Sequence, residues 1–573
     1  MKIKHLFGLA VIAAMTASCS SNEDLGTAGP GTGTNETGVG YATFTINLPS
    51  VSGTRADAGG AEMDEGTANE YAVKSATALI FQKYGSDEGS CKFVESVDLP
   101  TAAADWTDDA TDGITTTKKL VAKLTNVDTK NQYYVLVLLN NNKNKTGGVK
   151  VALPTVGQSY NEWNSQILTL SVDDLAADND FYMANAPLKG TASPTTLVTI
   201  DKENIYSSKE KAEAGTSAAT VYVERGVAKM SVTDPTTKTV IDKATNNPTK
   251  STVEFNNWAL DITNRKTYAV HNIDDLSTDF PDIWTTPRFI GTNSRVYWGK
   301  DPNYNLDNLN TGKEAEREKE FNFIKATSGI NKTFTESAYC LENTFNLANM
   351  YQGQTTRVIF KATYTPKDDA GNPLAEQDGT FYTIGNMTNI LNEAALKTAV
   401  NTAATSVLPG CTVDYTNLKQ EGSHVITLAD IKDSTGTTLV ADKVYSDKTG
   451  TEIVKEINDK LGLIDGAGHA EAMVGINTYA QGVTYYIARV KHFGSLTPWN
   501  SGESYGTDNG KYLGRYGMLR NNWYELTVGN VYGPGYPGVP PVDPNQPDDE
   551  NEKYLSVSVK ILSWAKRSDT VDL

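Results

Sequence analysis

The segment Tyr41-Ala42-Thr43-Phe44-Thr45-Ile46-Asn47-Leu48 alternates strictly, which sets Ala42, Phe44, Ile46 and Leu48 on one face of a half-buried strand, with Pro49 as its stop. The same period returns at the far end, where Leu555, Val557, Val559 and Ile561 alternate with Ser556, Ser558, Lys560 and Leu562. Between these ends, runs rich in Val, Ile, Thr and Tyr predict strands at 78–81, 93–99, 119–124, 133–139, 197–200, 220–223, 227–232, 253–260, 356–364, 484–490 and 523–528. The run 133–139 is almost wholly apolar and predicts a central strand. Helical periodicity is confined to 314–324, 390–400 and 452–461, the last with Ile453, Ile457 and Leu461 on one stripe and Gly462 as its stop. These short helices are expected as insertions covering sheet edges. The fold class that follows is all-β with minor helices, at β-sandwich spacings, and no repeat has a solenoid or propeller period.

A chain of 573 residues exceeds what one hydrophobic core supports, so at least two packed units are expected. Residues 20–40 are mostly Gly, Thr, Asn and Ser and predict a flexible leader. A polar, glycine-rich loop follows the first strand from Ser50 to about Asn69, with Arg55 as its only basic residue. The segment 533–552 carries six prolines and an acidic run, which predicts an extended, semi-rigid arm presenting one isolated terminal strand.

The balance of 51 basic against 69 acidic residues, a net charge of −18, argues against nucleic-acid partners, because phosphate binding needs clustered cations. The amino terminus has a basic start at Lys2 and Lys4, an apolar run from Leu6 to Met15, and Thr16-Ala17-Ser18 before Cys19. A cysteine directly after small residues is what lipoprotein processing acylates, so Cys19 is the expected diacylglycerol and palmitate site; an ordinary secretory signal is the alternative. Past residue 20 no apolar stretch is long enough to span a bilayer. Cys91, Cys340 and Cys411 are widely spaced, suggest neither a zinc nor a redox pair, and are expected as buried small side chains.

Candidate chemistry is sparse. Gly502-Glu503-Ser504-Tyr505-Gly506 fits a nucleophile-elbow pattern, but the flanks lack the strand and helix that motif needs, and no histidine follows His492. Gly506 to Lys511 is one residue short of a phosphate loop and has Tyr512 where a hydroxyl ligand to magnesium is needed. His271, His424, His469 and His492 are far apart, and Asp543, Asp548, Asp549 and Glu550 lack calcium-loop spacing, which points to a solvated linker. The chain is therefore not expected to be an enzyme, and no cofactor or metal site is expected.

The first and last strands present the same four-residue apolar pattern and could fill the same groove. A lone strand has unpaired backbone and an unburied face unless a sheet receives it, so strand addition between subunits is the economical use of the terminal one. Cleavage between Arg55 and Ala56 by a trypsin-like protease would free the first strand and the lipid together. Taken alone, the loop context of Arg55 favours an ordinary solvated side chain.

Several segments together resemble a known family, the type V fimbrillins of the Bacteroidales, and within it the shaft subunits of minor fimbriae. They are the cysteine at position 19, Thr54-Arg55-Ala56 after the first strand, Phe181-Tyr182-Met183-Ala184-Asn185-Ala186, and Val223-Glu224-Arg225-Gly226-Val227-Ala228-Lys229. Cys340-Leu341-Glu342-Asn343-Thr344, Leu519-Arg520-Asn521-Asn522-Trp523-Tyr524-Glu525-Leu526, and the ending with Trp564 and Val571-Asp572-Leu573 complete the set. The resemblance implies two transthyretin-like β-sandwich domains plus a C-terminal donor-strand arm. The expected division is a signal peptide at 1–19, a propeptide at 20–55, domains at 56–233 and 234–532, and a linker with donor strand at 533–573. It further implies export through the periplasm as an outer-membrane lipoprotein, maturation at Arg55–Ala56 by an Arg-specific protease, and displacement of the strand bearing Ala42, Phe44, Ile46 and Leu48. A donor strand bearing Leu555, Val557, Val559 and Ile561 would then build a cell-surface adhesive fimbrium. Implied partners are identical subunits, accessory or anchor subunits, and a host protein or glycan receptor. The alternatives are an anchored surface lipoprotein that binds glycan or host protein, and a tip or accessory subunit.

Overall fold

The computed structural model describes residues 33–35, 37–48, 63–64, 66–101, 117–128, 130–142, 147–177, 180–189, 194–276, 296, 298–306, 309, 312–346, 349–385, 389–463, 475–492, 514–542, 544–548 and 555–564. Two large β-sheets dominate, each with nine strands among these residues.

The amino-terminal sheet is built from β1 (Gly40–Asn47), β3 (Ala76–Gln82), β4 (Lys92–Leu99), β5 (Thr117–Leu124), β6 (Tyr133–Leu139), β7 (Met183–Asn185), β8 (Val198–Ile200), β9 (Ile205–Tyr206) and β10 (Ala219–Arg225). Its order is β9-β1-β10-β7-β6-β3-β4, with β8 on β6 and β5 on β1. The intervening strand β2 (Met63–Asp64) belongs to the other sheet. The apolar strand β6 pairs with β3, β7 and β8, and Val135 through Leu139 are all fully buried, as a run without polar alternation demands.

The chain changes sheets between β10 and β11 (Ala228–Val232), at Gly226-Val227. Gly226 lies against Tyr182, whose ring would crowd any Cβ there. The second sheet adds β12 (Thr237–Ile241), β13 (Pro248–Asp261), β14 (Ala338–Cys340), β15 (Arg357–Thr365), β19 (Val483–Arg489), β20 (Asn522–Val531) and β21 (Leu555–Trp564). Its order is β2-β21-β20-β12-β13-β15-β19, with β11 paired to β14 and β20. Trp258, Phe360, Tyr486, Tyr524 and Val528 form the centre of its core.

The two longer helices lie in an insertion, as expected, and it has a core of its own. Neighbouring strands β15 and β19 pair in register from Arg357↔Arg489 to Thr363↔Val483, and residues 366–482 leave and rejoin the sheet there. Within that insertion, α2 (Glu393–Val407) and α3 (Gly450–Leu461) pack on a small sheet of β16 (Phe381–Ile384), β18 (Ile476–Tyr479) and β17 (Gly422–His424). Leu396, Val400, Ile453, Ile457 and Leu461 fill a core separate from that of the large sheet, so the two amphipathic stripes face each other. Gly462 ends α3 at φ 67, the left-handed conformation glycine adopts without strain. The helix expected over 314–324 stops at Glu320, where Phe321–Asn322 turns into a strand paired to Thr263–Asn264.

Candidate functional site

The two strands singled out by pattern occupy unequal positions. β1 is saturated on both edges. One edge pairs antiparallel with β5 from Gly40↔Leu124 to Asn47↔Thr117. The other pairs with β9 at Tyr41 and Ala42, then parallel with β10 from Phe44↔Ala219 to Asn47↔Tyr222. Ala42, Phe44 and Ile46 are fully buried and Leu48 nearly so, in one core with Leu120, Ala122, Leu124 and Val221. The other face of β1 is tied as well, since Thr43 Oγ1 donates to Ala212 O at 2.6 Å and Thr45 Oγ1 lies 2.6 Å from Ser217 Oγ. Removing β1 would therefore leave a groove between β5 and β10 with an apolar floor and open backbone groups on both walls.

The terminal strand β21, bearing Leu555, Val557, Val559 and Ile561, is not isolated as the sequence led us to expect. It pairs antiparallel with β20 from Asn522↔Ser563 to Val531↔Leu555. A strand's unpaired backbone needs partners, and the nearest available row is that of β20. Its outer edge meets only β2, at Met63↔Ser563 and Asp64↔Trp564, so Leu555 to Leu562 have no second strand neighbour among the described residues. Cys19, Arg55 and Ala56 lie outside the described residues, as do Ser504, His469, Asp543, Asp549 and Glu550.

The proline-rich segment also departs from expectation: residues 533–542 and 544–548 are docked against the second sheet and the segments beside it, not held out in solvent. Proline has no N–H, so such a segment can bind chiefly through its carbonyls, and the surface beneath supplies the donors. Tyr486 OH donates to Gly533 O at 2.8 Å and Tyr479 OH to Gly535 O at 3.0 Å. Tyr536 and Tyr485 exchange both backbone hydrogen bonds, at 2.8 and 2.9 Å, on the outer edge of β19. Buried Arg357 donates from Nη2 to Pro540 O at 2.6 Å and from Nη1 to Pro541 O at 3.0 Å, while its Nε is held by Asp261 Oδ2 at 2.9 Å. Gln352 donates its backbone N–H to Gln546 O and its side-chain amide to Pro547 O, at 3.0 and 3.2 Å. Asp548, expected in a solvated acidic run, is fully buried; its N–H reaches Met350 O at 3.1 Å and its carboxylate accepts from Thr355 Oγ1 at 3.4 Å. Sequence reasoning missed this cradle. Its one legible signal was Arg357, a cation at the head of an apolar strand.

Several other titratable groups have partners or lie buried in the interior. Cys91, Cys340 and Cys411 are free and buried, as expected, and burial pushes the Cys340 thiol up to about 12. His271 Nδ1 lies 2.8 Å from Glu224 Oε1 and its Nε2 3.7 Å from Glu342 Oε1, while Arg520 Nε reaches Glu342 Oε2 at 3.2 Å. His492 Nδ1 lies 2.7 Å from Tyr524 OH, and His424 Nε2 lies 3.0 Å from Gln420 O. Among the described residues no group of three His, Cys, Asp or Glu side chains could hold a metal ion, and no helix is long and apolar enough to cross a membrane.

These features define an all-β protein whose distinctive parts are its strand termini. Residues 477–570, from within β18 to beyond β21, match the family described as "Major fimbrial subunit protein type IV, Fimbrillin, C-terminal". The match covers the carboxy-terminal part of the chain and supports a fimbrial-subunit role there. No curated protein matches the sequence. Among solved structures, a Parabacteroides distasonis protein ascribed to cell adhesion is 10% identical, over 91% of this chain and 99% of that one, with a TM-score of 0.32. A fimbrial assembly protein from the same organism is 12% identical over 61% and 93%, with a TM-score of 0.28. The tip fimbrial protein Mfa3 of Porphyromonas gingivalis, with a C-terminal truncation, is 11% identical over 91% and 100%, with a TM-score of 0.28. At these identities and scores the three are likenesses.

Proposed function

We propose that this chain is the lipoprotein precursor of a fimbrial shaft subunit that polymerises by donor-strand exchange. Cys19 takes the lipid that holds the exported precursor at the outer membrane, an Arg-specific protease cuts between Arg55 and Ala56, and β1 leaves the amino-terminal sheet. The terminal strand of a neighbouring subunit then enters the vacated groove between β5 and β10. The observation that supports this reading is the asymmetry of the two strands: β1 is paired along both edges over a fully buried face, whereas among the described residues Leu555 to Leu562 are paired along one edge only. Exchanging a one-edge cis pairing for a two-edge pairing in a neighbour adds a row of backbone hydrogen bonds per subunit, and each is worth about 0.5–1.5 kcal/mol net.

The test is the N-terminal residue and size of protein sheared from the cell surface, for the native chain and for a chain deleted from Leu555 to Leu573. The reading expects Ala56 at the start of heat-resistant polymers in the first case and soluble monomers in the second. Polymers from the truncated chain would refute it, and a lipidated Cys19 start on monomers would favour an anchored binding lipoprotein instead.

A further inference from the structure

The docked proline belt bears on how much of the arm moves during assembly, an inference that rests on the donor-strand reading above. We propose that residues 533–542 and 544–548 stay on their own subunit as a fixed strap, and that the moving arm begins after Asp548. The belt is held at three separate places by different chemistry. At its start, Tyr536 pairs with the edge of β19 and two tyrosine hydroxyls grip carbonyls. In its middle, the Arg357 fork spans the Pro540 and Pro541 carbonyls, with the guanidinium anchored by Asp261. At its end, Gln352 and Asp548 flank an antiparallel bridge between Tyr351 and Pro547. Contact is close there, because a Cβ on Gly353 would stand 2.9 Å from Pro544 Cβ, a distance side chains do not tolerate.

Lifting the belt would strand these groups. Arg357 is 3% exposed, and without the two carbonyls its fork would face Asp261 alone. A buried charge that loses hydrogen-bond partners is costly, whereas β21 gives up one ladder and regains two. The belt therefore sets the point of departure of the donor strand. Asp548 to Leu555 is seven residues, which limits the reach of the moving segment before the donor strand to about 25 Å.

Two double-cysteine variants of the full-length chain separate the possibilities. Tyr351→Cys with Pro547→Cys pins the belt. The bonds from Gln352 N–H to Gln546 O and from Asp548 N–H to Met350 O make this a non-hydrogen-bonded antiparallel pair, with Cα atoms about 4.5 Å apart, within disulfide reach. Thr527→Cys with Ser558→Cys pins β21 to β20 at opposed register positions. Both are expressed on cells, disulfide closure is checked by mass, and sheared material is sized as heat-resistant ladders with and without reductant. The expected result is at least a tenfold loss of ladders for the strand crosslink, reversed by reductant, and unchanged ladders for the belt crosslink. Loss of ladders with both crosslinks overturns the fixed strap while leaving strand exchange intact. Ladders with both crosslinks closed overturn strand exchange itself, and failure of the 351–547 disulfide to close in the monomer overturns the docked belt.

Discussion

Lys229 Nζ lies 2.9 Å from Glu70 Oε1, and neither side chain is more than 3% exposed. The pair joins α1 (Ala68–Tyr71) to β11 of the second sheet. Tyr339 OH donates to the same carboxylate at 2.5 Å, Arg225 Nε donates to Glu70 O at 2.9 Å, and the Lys229 ammonium sits 3.5 Å from the centre of the Trp523 ring. Burial alone would raise the Glu70 carboxyl, but the Lys229 charge and the hydrogen bonds from Lys229, Tyr339 and Thr67 outweigh it and hold the group below its ordinary range. Glu70 follows Arg55 by 15 residues, so this anchor would stay with the chain if it is cut there.

Glu70→Gln leaves Lys229 buried without its counter-charge and should cost on the order of 3–5 kcal/mol in chemical denaturation. Because the carboxyl is depressed in the folded state, its contribution is present above its ordinary value of 4.5 and is lost as pH falls through the folded value. Adding Lys229→Met to Glu70→Gln should restore most of the loss, and a double variant as weak as the single one would show that the charge pair is not the cause.

Phe44→Ala should destabilise the uncleaved precursor by about 3–5 kcal/mol, the usual cost of emptying a buried aromatic site. If β1 is discarded on maturation, polymers assembled from this variant should resist denaturant as well as native ones. Equal weakening of precursor and polymer would mean that β1 remains in the mature sheet.

Arg55→Ala should leave the leader attached, so that terminal sequencing finds no Ala56 start and surface polymers are lost. Arg55→Lys separates the protease's preference from simple loop accessibility, because an Arg-specific enzyme slows on lysine while a general trypsin-like one does not. Wild-type polymer yield from Arg55→Ala would reduce Arg55 to a loop residue.

Asp301 is buried, which pushes its carboxyl up to about 7 despite hydrogen bonds from the Thr344 and Asn303 N–H groups, with Glu342 nearby adding to the rise. A raised acid binds more protons folded than unfolded, so this group costs stability as pH climbs from 3.8 to about 7 and the cost is complete above that. Asp301→Asn removes the charge but keeps one acceptor oxygen where the carboxylate has two, so one of the Thr344 and Asn303 N–H groups loses its partner. Relative to the native chain, the variant should gain on the order of 4 kcal/mol at most between pH 4 and pH 8, on top of a pH-independent loss of about 1–3 kcal/mol from the N–H group left without an acceptor. Melting temperatures of both chains across that range provide the check, and a pH-independent difference would assign the effect to packing.

Strand positions were largely legible in the sequence. A two-residue period is a local property, and 133–139 matched β6 residue for residue, while 555–562 fell within β21. Ala42, Phe44, Ile46 and Leu48 were placed on a buried face by alternation alone, and they are buried. The α3 stripe and its Gly462 stop were equally local.

What composition could not convey was partnership. Six prolines read as an extended, solvated arm because proline stiffens the backbone and cannot donate, yet whether the segment's carbonyls, those of Gly533 and Gly535 included, meet water or a cradle depends on Arg357, Gln352, Tyr479 and Tyr486, which lie far away in sequence. The pairing of β21 with β20, the gathering of α2 and α3 into an inserted core, and the burial of Asp548 are likewise contacts between distant segments. The order of side chains along the chain determined which segments are strands and which faces they bury. Only the tertiary structure decided which edges are shared, because backbone hydrogen-bonding groups are the same at every residue except proline and carry no label for their partner.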